Sequence, residues 1–230
     1  MPAKHRFARC LLPALLALAA CGYVDYDSTE PGQFEGSLFV MWVGEGEGAG
    51  DGKFVFVPDP NNRLTFTWTD EQGNDHRIRP EMMYTDGGSI PKIAQVFNGF
   101  GPWGYAPAYM VHDWLYVARH CNLDGTPTPA EQEVAGLGFR ASARIMASAI
   151  KTLVETGRVK PNDIATTAIS DAVAGPVARV VWDRPGACAA SRVGEADRLA
   201  AEAAIPGSSR KAIPPEAGVV PAVVVGAFSF

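Results

Sequence analysis

The sequence predicts an α+β fold, an N-terminal antiparallel β-meander followed by a helical bundle packed on it. Three observations carry that expectation. Short runs rich in Phe, Val, Trp and Thr, separated by Gly-, Pro-, Asn- and Asp-rich connectors, fill the chain as far as Tyr84. Past Gly88 the apolar spacing becomes helical, and Thr128-Pro129-Ala130-Glu131 reads as a capping box with proline at the first helical position. Strands first and helices afterwards, without alternation, is the order of an α+β chain.

Ser37 to Val43, Lys53 to Val57 and Arg63 to Thr69 read as strands; in the third, Leu64, Phe66 and Trp68 alternate with polar neighbours. A fourth strand near His76 to Tyr84 is expected to close the meander. The connector from Gly44 to Gly52 is acidic and glycine-rich but lacks the Asp spacing of an EF-hand loop, so it reads as a hairpin tip. Pro107 suits the first turn of a helix running to about His120, with Tyr109, His112, Leu115, Tyr116 and Arg119 on one face. The capping box opens a long helix that Gly157 ends. Asn162 to Ala174 and Pro176 to Trp182 read as further helix, broken at Gly175-Pro176. Ala189 to Ala204 is a weak, Ala-rich helix, and four prolines interrupt Ile205 to Phe230. Residues 37–184 are therefore expected to form one α+β domain and residues 185–230 a low-complexity, flexible tail, with a partner-binding segment as the minority reading.

The chain's address is written at its start. Lys4, Arg6 and Arg9 precede the apolar stretch Leu11 to Ala20, too short to span a bilayer, so residues 1–20 read as an export signal. Leu18-Ala19-Ala20-Cys21 looks like a lipobox, in which Cys21 receives a diacylglycerol, becomes the new amino terminus and is acylated, for instance by palmitate. Residues 21–36, with Asp25, Asp27, Glu30 and Pro31-Gly32, suit an acidic tether between lipid and fold. By resemblance to the sorting behaviour of enteric lipoproteins, Gly22 in place of Asp after the cysteine implies the outer membrane, facing the periplasm. Loss of the signal leaves 17 basic residues against 25 acidic ones, moving the net charge from −5 to −8, which argues against nucleic acid as a partner. Cys10 leaves with the signal. Cys121 and Cys188 either pair in this oxidising compartment or stay free, because nothing in the sequence fixes their separation.

Two segments hold most of the remaining chemistry, Thr85-Asp86-Gly87-Gly88-Ser89-Ile90-Pro91 and His112-Asp113-Trp114-Leu115-Tyr116. Tyr116 lies beside both His112 and Asp113 on a helix, four residues past the first and three past the second. Asp86, Gly87, Gly88, Ser89 and Pro91 equally make a structural turn, with glycine supplying positive φ and Ser89 an N-cap. His112 equally serves as a buried imidazole that ties helix to loop. No Gly-x-Ser-x-Gly elbow, phosphate-binding loop or Cys-x-x-Cys pair occurs.

On these two motifs and the Ala172 to Trp182 stretch, the chain resembles the domain-of-unknown-function 1353 (DUF1353) family of phages and bacterial genomes, over roughly residues 50–183. That family's pattern is a Thr-Asp-Gly-small-Ser-Ile-Pro turn, a His-Asp-x-Leu-Tyr helix, a capped second helix and a late helix ending near Trp. Its second helix usually carries an Asp three residues before a Phe; here Gly136 holds that place before Phe139, with Glu133 one turn away. The motifs also resemble, more loosely, secreted phospholipase A₂. That resemblance implies His112 as general base, Asp113 with Asp86, Gly87 and Gly88 around calcium, and Tyr116 in support. Met110 and Val111 stand where that family has cysteines. Two functions follow as expectations: a non-catalytic envelope lipoprotein of phage ancestry, and a calcium-dependent lipid or ester hydrolase. The membrane is the one partner the sequence names.

Overall fold

The computed structural model describes residues 24–46, 52–85, 104–161, 163–207 and 220–230. Within them the chain is α+β as expected, with antiparallel strands first and helices after. The strands are β1 (Gln33–Glu35), β2 (Ser37–Glu45), β3 (Gly52–Pro58), β4 (Thr65–Thr69), β5 (Asp75–Ile78) and β6 (Met83–Thr85). The helices follow as α1 (Ala106–Leu123), α2 (Pro129–Glu133), α3 (Phe139–Glu155), α4 (Asp163–Ala174), α5 (Pro176–Trp182), α6 (Cys188–Ser191) and α7 (Glu195–Ala204), and a last strand, β7 (Val223–Ser229), ends the chain.

The strands divide between two antiparallel sheets, ordered β1-β4-β5 and β6-β3-β2-β7. The expected fourth strand is thus two strands, one in each sheet. Proline cannot donate to a ladder, so Pro80 separates them where the chain changes sheet. Alternation along β2 sorts its side chains to two sides. Leu38 and Val40 enter the main core with α1 and α3, whereas Phe39 and Met41 meet Ala201 and Ile205 at α7 across the sheet.

Two Gly-terminated helices stack in the main core. At the end of α1, Thr126 N donates to Cys121 O at 3.0 Å and Gly125 N to Asn122 O at 3.3 Å; at the end of α3, Arg158 N donates to Leu153 O at 2.9 Å and Gly157 N to Val154 O at 3.0 Å. This is the paired bonding of a Schellman motif, and Gly125 and Gly157 hold the positive φ it requires, 72° and 70°.

Three expectations need correction. The capping box forms, with Thr128 Oγ1 accepting from Glu131 N and Thr128 N donating to Glu131 Oε2 at 2.6 Å, but its helix stops at Glu133. Gly136 and Gly138, each costing about 1 kcal/mol in a helix interior, break the run, and Gly138 becomes the N-cap of a separate α3. The supposed tail is ordered where described: α6 is bonded to α1 through a disulfide, α7 covers the outer sheet face and β7 pairs with β2 from Ser37↔Ser229 to Trp42↔Val223. The supposed tether is docked as well. Val24 is buried against Ala143, Ala147 and Ala174, Lys151 Nζ donates to Asp27 O at 2.9 Å, and Gly32 N donates to Thr152 Oγ1 at 2.8 Å. Small side chains on α3 and α4 leave room for this segment to pack there, which composition alone did not reveal. No helix among the described residues is long and apolar enough to cross a membrane.

Candidate functional site

Helix α1 carries His112, Asp113 and Tyr116 through the centre of the molecule. Thirteen of its 18 residues are buried, on every side of the helix, as expected of an interior helix rather than a surface one. Asp113, Tyr116 and Arg119 are its partly exposed seam.

The polar groups along this helix differ sharply in how well they are satisfied. Tyr105 Oη, Tyr109 Oη and His112 Nε2 are buried and have no hydrogen-bond partner among the described residues. Burial pushes the Tyr105 and Tyr109 phenols above their ordinary pKa, and Tyr109 is pushed further by its neighbours Tyr105 and Asp113. The other nitrogen of His112, Nδ1, lies 3.6 Å from Asp113 Oδ1, too long for a hydrogen bond. The imidazole rests against the Tyr116 ring, centroids 4.9 Å apart.

Toward the other end, α1 is latched to α5. Tyr116 Oη donates to Ala178 O at 3.3 Å and its ring meets Trp182 edge-on; burial, then the Asp113 charge, raises its phenol. His120 Nε2 lies 2.7 Å from Val181 O, which makes that nitrogen the donor, and Arg119 pairs with Asp183 at 3.2 Å. In the sequence His120 marks only the approximate end of the expected helix. Its spacing of four from Tyr116, on the same helix face, was the available signal.

The sequence-predicted residues are therefore brought together only in part. His112, Asp113 and Tyr116 are neighbours; Asp86, Gly87, Gly88, Ser89, Pro91 and Cys21 lie outside the described residues. Cys121 and Cys188 form a disulfide, Cα atoms 4.6 Å apart. Beside it, Asp124 accepts from Gly186 N at 2.6 Å and Cys188 N at 3.0 Å, a clamp that sequence reading missed. These backbone bonds hold the Asp124 carboxyl below its ordinary pKa. Glu133 is exposed and takes no part.

The arrangement could move one proton: Nε2 of a neutral His112 is a base with a carboxylate on its other side. The described side chains alone do not complete a calcium site. A hard cation wants six to eight oxygens, and around Asp113 the described side chains supply one carboxylate, two phenols and an imidazole. No cluster of three or more His, Cys, Asp or Glu able to hold a metal occurs among the described residues. Two clefts open elsewhere. One, of about 350 Å³, lies between Asp70 and His76 and the start of α3. The other, of about 610 Å³, has Trp114, Glu131 and Arg192 in its walls. Comparison with family models, curated proteins and solved structures returns no match for the chain.

Proposed function

We propose that the chain is an exported, lipid-anchored module of the cell envelope, non-catalytic, in which the His112 helix is the spine of the fold. The observation that carries this reading is the burial of His112: its imidazole is 7% exposed and rests on the Tyr116 ring. The anchor rests on the Leu18 to Cys21 lipobox and the basic, then apolar, signal before it. Several acyl chains at about 0.8 kcal/mol per buried methylene hold a protein at a bilayer far beyond one myristoyl group. Wild type is expected to incorporate labelled fatty acid and sediment with membranes, and Cys21→Ala to lose both. Label retained by Cys21→Ala would refute the anchor.

One observation favours a second reading, an ester hydrolase with His112 as base: its Nε2 is buried without a partner, as are the Tyr105 and Tyr109 hydroxyls earlier in the same stretch of chain. Buried polar groups without partners need a reason, and a working group is one. Hydrolysis of short-chain and phospholipid esters by wild type, abolished by His112→Gln with an unchanged melt, would establish that reading over the first.

A further inference from the structure

The docked N-terminal segment bears on which side of the protein the anchor reaches. Val24, 7% exposed, sits against Ala143 and Ala147 of α3 and Ala174 of α4. Three peptide units join it to Cys21, a reach of at most about 11 Å however they are arranged. Ala174 is also where α4 hands over to α5, and Val177 follows three residues later, again within about 11 Å along the chain. Val177 and Val180 are 76% and 67% exposed, one helical turn apart on the outer face of α5. That face is held to the body from behind by Trp182, Ala178 O and Val181 O through Tyr116 and His120 of α1.

Resting on the lipid-anchor reading above, we propose that the outer face of α5, through Val177 and Val180, seats in the headgroup–acyl boundary of the bilayer beside the acylated cysteine. The occupant is lipid because the acylated cysteine lies only three residues before Val24, which packs on the end of the helix that runs into α5. Two valines alone bind a bilayer weakly, but next to an anchor they need only orient what is already there. Arg179, 58% exposed, shares the Asp183 carboxylate with Arg119, so this face carries no excess negative charge for lipid headgroups to repel.

The test uses the full lipidated chain in phosphatidylcholine vesicles, carrying an environment-sensitive fluorophore on Val177→Cys, Val180→Cys or, as control, Ala196→Cys. Ala196 is exposed on α7, which packs on the far face of the four-stranded sheet. Labels at 177 and 180 are expected to lose quenching by aqueous iodide and gain quenching by nitroxide lipids, with no change at 196. Equal iodide access at all three sites in a protein that carries acyl mass and floats with vesicles overturns the proposal alone. Absence of acyl mass on Cys21 overturns the anchor and the proposal together. Shielding at 177 and 180 that persists in Cys21→Ala without vesicles means a protein covers this face, and also overturns it.

Discussion

The carboxylate of Asp124 accepts a hydrogen bond from the backbone N–H of Cys188 at 3.0 Å, next to the bridge that bonds Cys188 to Cys121. A second bond, from Gly186 N at 2.6 Å, closes the clamp. Asp124 also ends α1, so one side chain joins the central helix to the C-terminal segment 64 residues on.

That clamp makes stability depend on pH. The folded pKa of Asp124 lies below its unfolded value, first because of the Gly186 and then the Cys188 backbone bond. Its contribution is fully present above the unfolded value, about 4, and is lost as pH falls through the lower folded value. Asp124→Asn is expected to be less stable than wild type at pH 7 and to converge toward it on acidification, in urea melts across pH 2 to 7. Parallel curves over that range would rule out the ionised clamp.

The disulfide closes a loop with a sequence separation of 67. Loop-closure entropy for that span gives about 4 kcal/mol, in a treatment whose mechanism is model-dependent. Cys121→Ser with Cys188→Ser is expected to lower the urea midpoint and steepen the slope, because the uncrosslinked denatured chain exposes more surface, and reductant to shift wild type but not the double variant. A wild-type midpoint indifferent to reductant under unfolding conditions would mean that the two cysteines do not pair.

Gly36 stands between β1 and β2, where the chain passes from one sheet to the other, with φ at 90°. A Cβ there would lie 2.2 Å from Arg63 O, which is backbone and cannot swing away. The left-handed conformation and the overlap together cost Gly36→Ala about 2–5 kcal/mol. Asn61→Ala, in the neighbouring turn but exposed, serves as the control. A Gly36→Ala melt matching wild type would mean that the junction has a different backbone.

What was legible in the sequence was what local pattern encodes. Alternation at Leu64, Phe66 and Trp68, the Thr128 capping box and the Gly157 stop each act over a few residues, and each is found. What failed was what distant contacts decide. Val223 to Ser229 is apolar and interrupted by Gly226, so nothing local marks it as a strand; β2 recruits it across 186 residues, counting Ser37 to Val223. The tether reads as polar linker because its docking site, Ala143 and Ala147, is more than a hundred residues away. For the site, adjacency of His112, Asp113 and Tyr116 follows from helical spacing, but their burial depends on α3, α5 and the sheets.

His112 offers the sharpest test of what its helix is for. The ring packs on Tyr116, so His112→Ala is expected to cost about 1–3 kcal/mol through lost packing. His112→Leu restores most of that volume and removes the unpartnered Nε2, while giving up only a 3.6 Å approach to Asp113. Removal of the desolvated, unpartnered nitrogen favours leucine while the changed shape costs about 1 kcal/mol in a packed interior, so the leucine variant is expected within about 1 kcal/mol of wild type. Thermal melts of both variants beside wild type measure this directly. A leucine variant clearly more stable than wild type would mean that the imidazole is kept at a cost to the fold, as working groups are, and would move the balance from spine to active site.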